Sequence, residues 1–209
     1  MEDDRPGPGE ELNTGPPTPP RGAASVIVLR GGADTLEVLL VKRNPRSRFM
    51  GGAWVFPGGA IRRDEGEGEA AQRAAGAREL EEEAGLHADP DALVPFSRWI
   101  TPEQVRIRFD TYFFLHRVPD DAQPRIDDRE VVDWRWFTPR AALDAHRAGE
   151  ILLVFPTIKH LEQLAGFASA DELLAHARGR DVQPVVPRVI REGEIARIVL
   201  PGEDDGFGG

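Results

Sequence analysis

One helical stretch, set between stretches that favour strands, most limits the folds open to this chain. From about Glu69 to Ala84 the sequence is rich in Ala and Glu, which favours helix, and Gly85 suits its C-terminal cap. Before it, residues 25–30, 36–43 and 54–56 read as strands; after it, 93–100, 106–118 and 131–137 carry the β-branched and aromatic residues that favour strands. The turn Gly31-Gly32-Ala33-Asp34 predicts a hairpin between the first two. Strands, a helix, more strands and then terminal helices predict an α/β sandwich with a mixed sheet.

The terminal helices have their own signals. Thr138-Pro139 places an N-cap before a proline at the first helical position, opening a helix that stops near Gly149. A second runs from Pro156 to about Phe167, and Ser169 caps a third reaching about Arg178. Short Val/Ile runs between Asp181 and Leu200 predict a peripheral strand pair. Residues 1–22, rich in Pro, Gly and Glu, predict a disordered leader. The domain then spans 23–180, and 181–209 form a C-terminal extension with a frayed end.

Composition removes several function classes. With 209 residues, 40% of them hydrophobic, the chain can bury a substantial core. A formal charge of -10 argues against nucleic-acid binding, which needs clustered Lys and Arg to meet phosphates. Any phosphate ligand must therefore be met by local groups. The absence of cysteine excludes disulfides, thiolate metal sites and cysteine nucleophiles. No apolar run approaches the ~20 residues of a membrane span, and the acidic start is unlike a signal peptide. The expected setting is cytoplasmic, without a membrane partner.

The chemistry is concentrated in Arg78-Glu79-Leu80-Glu81-Glu82-Glu83-Ala84-Gly85-Leu86. At roughly 100° per residue, Glu79, Glu82 and Glu83 fall within about one third of the helix circumference, while Ala77, Leu80 and Ala84 occupy another arc. Two carboxylates about 6 Å apart repel by roughly 3 kcal/mol at an effective dielectric near 20, so three on one face favour a bound cation. A solvated acidic helix is the simpler alternative. It leaves unexplained the turn Phe56-Pro57-Gly58-Gly59, whose glycines let backbone approach a metal or ligand closely.

Together these segments resemble the Nudix box. Arg78 to Leu86 matches the second half of that box at every fixed position, and Gly59 through Glu65 matches its opening glycine, five residues and glutamate. Twelve residues separate Glu65 from Arg78 where the family usually has seven, so the box resembles one with a five-residue insertion, and Glu65 is left without an assigned role. The resemblance implies a Nudix α/β/α sandwich, here with extra C-terminal helices. It also implies hydrolysis of a phosphoanhydride in a nucleoside diphosphate-linked compound, with Mg2+ or Mn2+ as cofactor. Glu79, Glu82 and Glu83 would be metal ligands assisted by the backbone near Gly59, and Arg78 would orient the glutamates. The base is Glu79 or Glu130, the latter standing where some relatives carry a distal glutamate.

The segment Leu39-Leu40-Val41-Lys42-Arg43-Asn44, Arg48, Gly52 and Phe56-Pro57-Gly58-Gly59 is similar to the coenzyme A signature of Nudix diphosphatases. Every spacing is kept; Val41 stands for Thr and Asn44 for Ser or Ala. The resemblance is to the branch of peroxisomal coenzyme A diphosphatases, although the final Gly206-Phe207-Gly208-Gly209 lacks a peroxisomal signal. It implies contacts from Arg43 and Arg48 to coenzyme A phosphates, a small-molecule nucleotide substrate, and a homodimer as one assembly. ADP-ribose, dinucleotides and nucleotide sugars are alternative substrates. A non-catalytic nucleotide-binding domain is the alternative outside enzymes.

Other catalytic patterns are missing: the chain has no Gly-x-Ser-x-Gly elbow and no Walker phosphate loop. Its five histidines show no paired ligand spacing and read as surface or packing residues. Trp99, Trp134 and Trp136, on expected strands, read as core or sheet-edge residues.

Overall fold

The structure is a computed structural model that describes residues 12–13, 15–47, 49–126, 128–192 and 195–202. The central strand is β1 (Arg21–Arg30). It runs parallel to β6 (Phe109–Arg117), in register from Arg21↔Phe109 to Leu29↔Arg117. β6 pairs antiparallel with β5 (Val94–Ile100), and β8 (Pro184–Val185) joins the outer edge of β5 in parallel.

The other edge of β1 is divided between two partners. Its C-terminal end pairs with β2 (Glu37–Arg43) through Leu29↔Val38 and Arg30↔Glu37. Its N-terminal end pairs with β4 (Gly58–Ala60) through Ala23↔Ala60, Ala24↔Gly59 and Ser25↔Gly58. Between these, the Val26 amide donates to the Pro57 carbonyl at 2.8 Å. Having left β1, β2 continues against β3 (Trp54–Val55) and β7 (Val131–Phe137). This fork brings the Pro-Gly-Gly segment into the sheet beside the end of β2.

Alternation along β1 sends its side chains to opposite layers. Ala24, Val26 and Val28 pack with Ala75, Leu80 and Ala84 of α1 (Gly68–Ala84). Ile27 and Leu29 pack with Leu143, Leu161 and Leu173, which belong to α2 (Pro139–Arg147), α3 (Phe155–Leu164) and α4 (Ala170–Ala177). The architecture is thus the expected α/β/α sandwich with a mixed sheet and added C-terminal helices. Thr138 caps α2 by accepting from the Ala141 amide, and Ser169 caps α4 by accepting from the Glu172 amide. α1 ends at Gly85, whose φ of 61° is a left-handed conformation that suits glycine.

Several details differ from the sequence reading. β1 begins at Arg21 rather than Ser25, because the buried Arg108 fixes the segment before it: its guanidinium donates to the carbonyls of Thr18 at 2.6 Å and Thr101 at 3.1 Å. Most of the expected leader lies outside the described residues. Gly58-Gly59, read as part of a turn, instead belongs to the strand Gly58–Ala60, which forms by pairing with β1. β9 (Arg188–Glu192) and β10 (Ile195–Val199) make the expected C-terminal pair, while β8, from the same extension, enlarges the main sheet. No described helix is long and apolar enough to cross a membrane.

Candidate active site

The C-terminal half of α1 faces β4, and its charged residues divide into three environments. Glu83 is buried, with only 4% of its side chain exposed, and its Oε2 accepts from the Gly58 amide at 2.9 Å. Its other oxygen lies 3.6 Å from Nη1 of Arg43, at the end of β2. Glu79 is half-buried against Gly59. A Cβ built on Gly59 would stand 2.5 Å from the Glu79 carboxylate carbon, so any side chain at this position would push the end of Glu79 aside. Glu82, with 44% of its side chain exposed, is held by Arg62 Nη2 at 2.9 Å and Arg78 Nη1 at 3.0 Å.

The shared acidic face of the sequence reading is therefore corrected in one respect. Glu83 belongs to the buried side of the helix together with Ala71, Ala75, Gly76, Leu80 and Ala84, whereas Ala77 is only partly buried. Beside Glu83 the fork presents the Gly58 amide, which donates to the carboxylate.

Arg78 organises the surrounding charges. Its Nε donates to Glu65 Oε1 at 2.7 Å, Nη1 to Glu79 Oε1 at 2.6 Å, and Nη2 to the Ala60 carbonyl at 3.1 Å. It thus ties α1 to β4 and to the short 3-10 turn Arg63–Glu65. The sequence left Glu65 without a role, although its place in the Gly59–Glu65 spacing was the available signal. Arg62 was missed, because nothing in the spacing linked it to Glu82.

Protonation follows burial. Desolvation pushes the Glu83 carboxyl up to about 7, reinforced by the charges of Glu79 and Glu130 and opposed by the Gly58 amide and Arg43. Burial also raises Glu79, against the hydrogen bond and charge of Arg78. Glu65 is lowered: burial works against ionisation, but the hydrogen bonds and charges of Arg78 and Arg62 outweigh it. Arg78 stays firmly charged, since its glutamate partners overcome its own desolvation.

Glu79, Glu83, Glu130 and Arg43 line one cavity of about 560 Å³, together with Gly58 and Gly59. Glu130 reaches it from the residue preceding β7, a position fixed by the Asn44 amide, which donates to the Glu130 carbonyl at 2.8 Å. Asn44 Nδ2 also donates to the Arg129 carbonyl at 2.7 Å, and its Oδ1 accepts from the Arg46 amide at 3.0 Å. Arg43 Nε is buried without a hydrogen-bond partner. A buried guanidinium nitrogen in that state favours an added acceptor. Arg48 lies outside the described residues.

The donor set suits a hard divalent cation in kind, because Glu79 and Glu83 offer carboxylate oxygens to one cavity. Among the described residues no three carboxylate or imidazole groups already converge as a metal site. Glu82 is engaged through Oε2 by both Arg62 and Arg78, and its exposed side chain has room to rotate.

Comparison with known proteins agrees with the geometry. The description of the NUDIX domain matches residues 19–155. "Putative nudix hydrolase 7" of Caenorhabditis elegans is 27% identical over 206 residues, covering 82% of this chain and 68% of that protein. "Acyl-coenzyme A diphosphatase NUDT19" of Homo sapiens is 33% identical over 130 residues, covering 58% of this chain. The chain spans only 34% of that human protein's length. Among solved structures, a NUDIX hydrolase from Alicyclobacillus acidocaldarius superposes with a TM-score of 0.67 at 26% identity, covering 76% of this chain and 96% of the other.

Proposed function

This chain belongs to the NUDIX domain family of hydrolases, and from that premise we propose that it is a metal-dependent diphosphatase cleaving coenzyme A or an acyl derivative into 3',5'-ADP and phosphopantetheine or its acyl form. The observation that carries this reading is the cavity in which Glu79, Glu83, Glu130 and Arg43 meet beside Gly58 and Gly59. Family members generally use divalent metal ions; Mg2+ or Mn2+ is the cofactor proposed here, held by Glu79, Glu82 and Glu83 with the backbone at Gly59. Such an ion supplies charge neutralisation on the diphosphate and acidifies water.

The chain's own residues do the rest. Arg78 holds the Glu79 carboxylate in place by its 2.6 Å hydrogen bond and keeps α1 docked on β4. Arg43, with one guanidinium nitrogen unpartnered, faces the cavity and meets a phosphate oxygen of the substrate. Glu130 takes the proton of the attacking water: it lines the cavity, and among the described residues no arginine is ion-paired to it, whereas Glu79 is engaged by Arg78. Arg48 is proposed as a second phosphate contact on the spacing of its motif.

The coenzyme A assignment is supported by the spacing from Leu39 to Gly59 and by the names of the human relative and its Xenopus laevis counterpart, the latter 32% identical over 125 residues. The two departures from that motif have structural explanations: Val41 is fully buried in the layer under α1, and Asn44 fastens the following loop. The test is a panel of coenzyme A, acyl-coenzyme A, ADP-ribose, NADH and nucleotide sugars with Mg2+ or Mn2+. A kcat/KM at least about tenfold higher on the coenzyme A compounds supports the assignment. Preference for another member replaces the substrate, and no turnover with either metal overturns the enzymatic reading.

A further inference from the structure

The cavity holding the carboxylates extends well beyond them, and its far part is apolar. By strand alternation Ser25, Thr111 and Phe113 face the α2–α4 layer, away from α1. On that side the wall is built by Trp99, Ile107, Phe109 and Phe113 of the β5–β6 region, by Phe49 and by Phe155. The Phe49 and Phe109 rings meet at 5.5 Å between centroids, joining the loop after β2 to the start of β6.

Two further wall residues, Pro187 and Ile198, come from the β9–β10 region. This region lies beyond residues 19–155, where the family match ends. The C-terminal strand pair is thus part of the cavity wall, not only a peripheral addition. Ile107, which lines the cavity, and Val186, next to Pro187, are 41% and 43% exposed, two of the three exposed large hydrophobic side chains among the described residues.

We infer that the β9–β10 pair and the β5–β6 loop form an acyl-recognition wall, which receives the alkyl chain of a coenzyme A thioester while the diphosphate lies at the carboxylates. This rests on the diphosphatase reading and adds to it the residues that select the acyl group. An alkyl chain is the occupant that matches the wall's chemistry. Ser25, Thr101, Thr111 and Thr157 also line the cavity, but apolar side chains outnumber them, and a nucleobase against the apolar ones would need partners for its ring nitrogens and exocyclic groups that they do not offer. An alkyl chain needs none and gains from every methylene removed from water.

The test uses the full chain and a series of saturated acyl-coenzyme A substrates of increasing length, with free coenzyme A as reference. kcat/KM is expected to rise about fourfold per methylene that enters the cavity, corresponding to ~0.8 kcal/mol per buried CH₂, and then to level off. In Ile198→Asp the ratio of decanoyl to free coenzyme A turnover falls at least about tenfold, and Ile198→Val restores it. Metal-free binding of the same series, followed by tryptophan fluorescence, gives a second readout. Cleavage of all chain lengths alike, with a ratio untouched by Ile198→Asp, overturns the wall and keeps the diphosphatase. Binding that strengthens with chain length without cleavage keeps the wall and overturns the diphosphatase.

Discussion

Arg78 and Glu65 are joined by a 2.7 Å hydrogen bond from Nε to Oε1 across thirteen positions of sequence, so the lengthened segment between them returns to the same point in space. The 3-10 turn ending at Glu65 and the seventeen-residue helix α1 absorb the added residues. Glu65 thereby acts as the outer partner that fixes the arginine, which in turn fixes Glu79.

Glu65→Gln is expected to lower stability by about 1–2 kcal/mol, because a charged acceptor for a mostly buried guanidinium becomes neutral. kcat should fall by about tenfold, since Arg78 keeps its hydrogen bonds to Glu79 and the Ala60 carbonyl. Urea denaturation and steady-state kinetics on the same preparation give the two values. An unchanged midpoint would show that the pair contributes nothing to the fold.

Gly59→Ala forces a methyl group against the Glu79 carboxylate. Displacing that group by about 1 Å is expected to cost about 10²-fold in kcat, with the circular dichroism spectrum preserved. Activity at the wild-type level would mean that the strand-to-helix contact at this point does not position the chemistry.

The proton acceptor can be told apart from the ligands by paired variants. Glu130→Gln should reduce kcat by about 10²–10⁴-fold with metal affinity retained, whereas Glu83→Gln should weaken metal binding itself. Titration calorimetry with Mn2+ separates the two. Equal loss of Mn2+ binding in both variants would move Glu130 among the ligands.

Stability should depend on pH through His160, which is fully buried beside Phe113, with ring centroids 4.2 Å apart. Its Nδ1 donates to the Pro156 carbonyl at 2.7 Å, which leaves Nε2 to accept from Ser97 Oγ at 2.6 Å in the neutral ring. Desolvation lowers it to about 4 from an ordinary 6.5. Between those values the unfolded chain binds more protons, so this stabilisation is complete above pH 6.5 and is lost as pH falls towards 4, on the order of 3 kcal/mol. In His160→Gln that part of the pH dependence should vanish from urea midpoints measured between pH 7 and pH 4. The same slope in both proteins would assign the loss to other groups.

The elements were largely legible because their signals are local. Thr138-Pro139, Ser169 and Gly85 end or begin helices where their caps predict. The fork at β1 was not legible, since Gly58–Ala60 has a turn's composition and becomes a strand only through pairing with residues 23–25. At the site, the spacing that brings Glu79, Glu83, Glu130 and Arg43 to one cavity could be read from motif positions. Helical angle alone placed Glu82 and Glu83 together, but only the fork and the Gly58 amide explain why Glu83 turns inward while Glu82 remains with Arg62. The role of Pro187 and Ile198 depends on how the extension lies across the sheet, which no local pattern encodes.

The most direct measurement is the mass of the products formed from an acyl-coenzyme A and Mg2+ in ¹⁸O-labelled water. The account predicts 3',5'-ADP and acyl-phosphopantetheine, one label on a phosphate of one product, and loss of both products in Glu83→Gln. Release of free coenzyme A and a labelled fatty acid would place the cut at the thioester and contradict it, as would no cleavage at all.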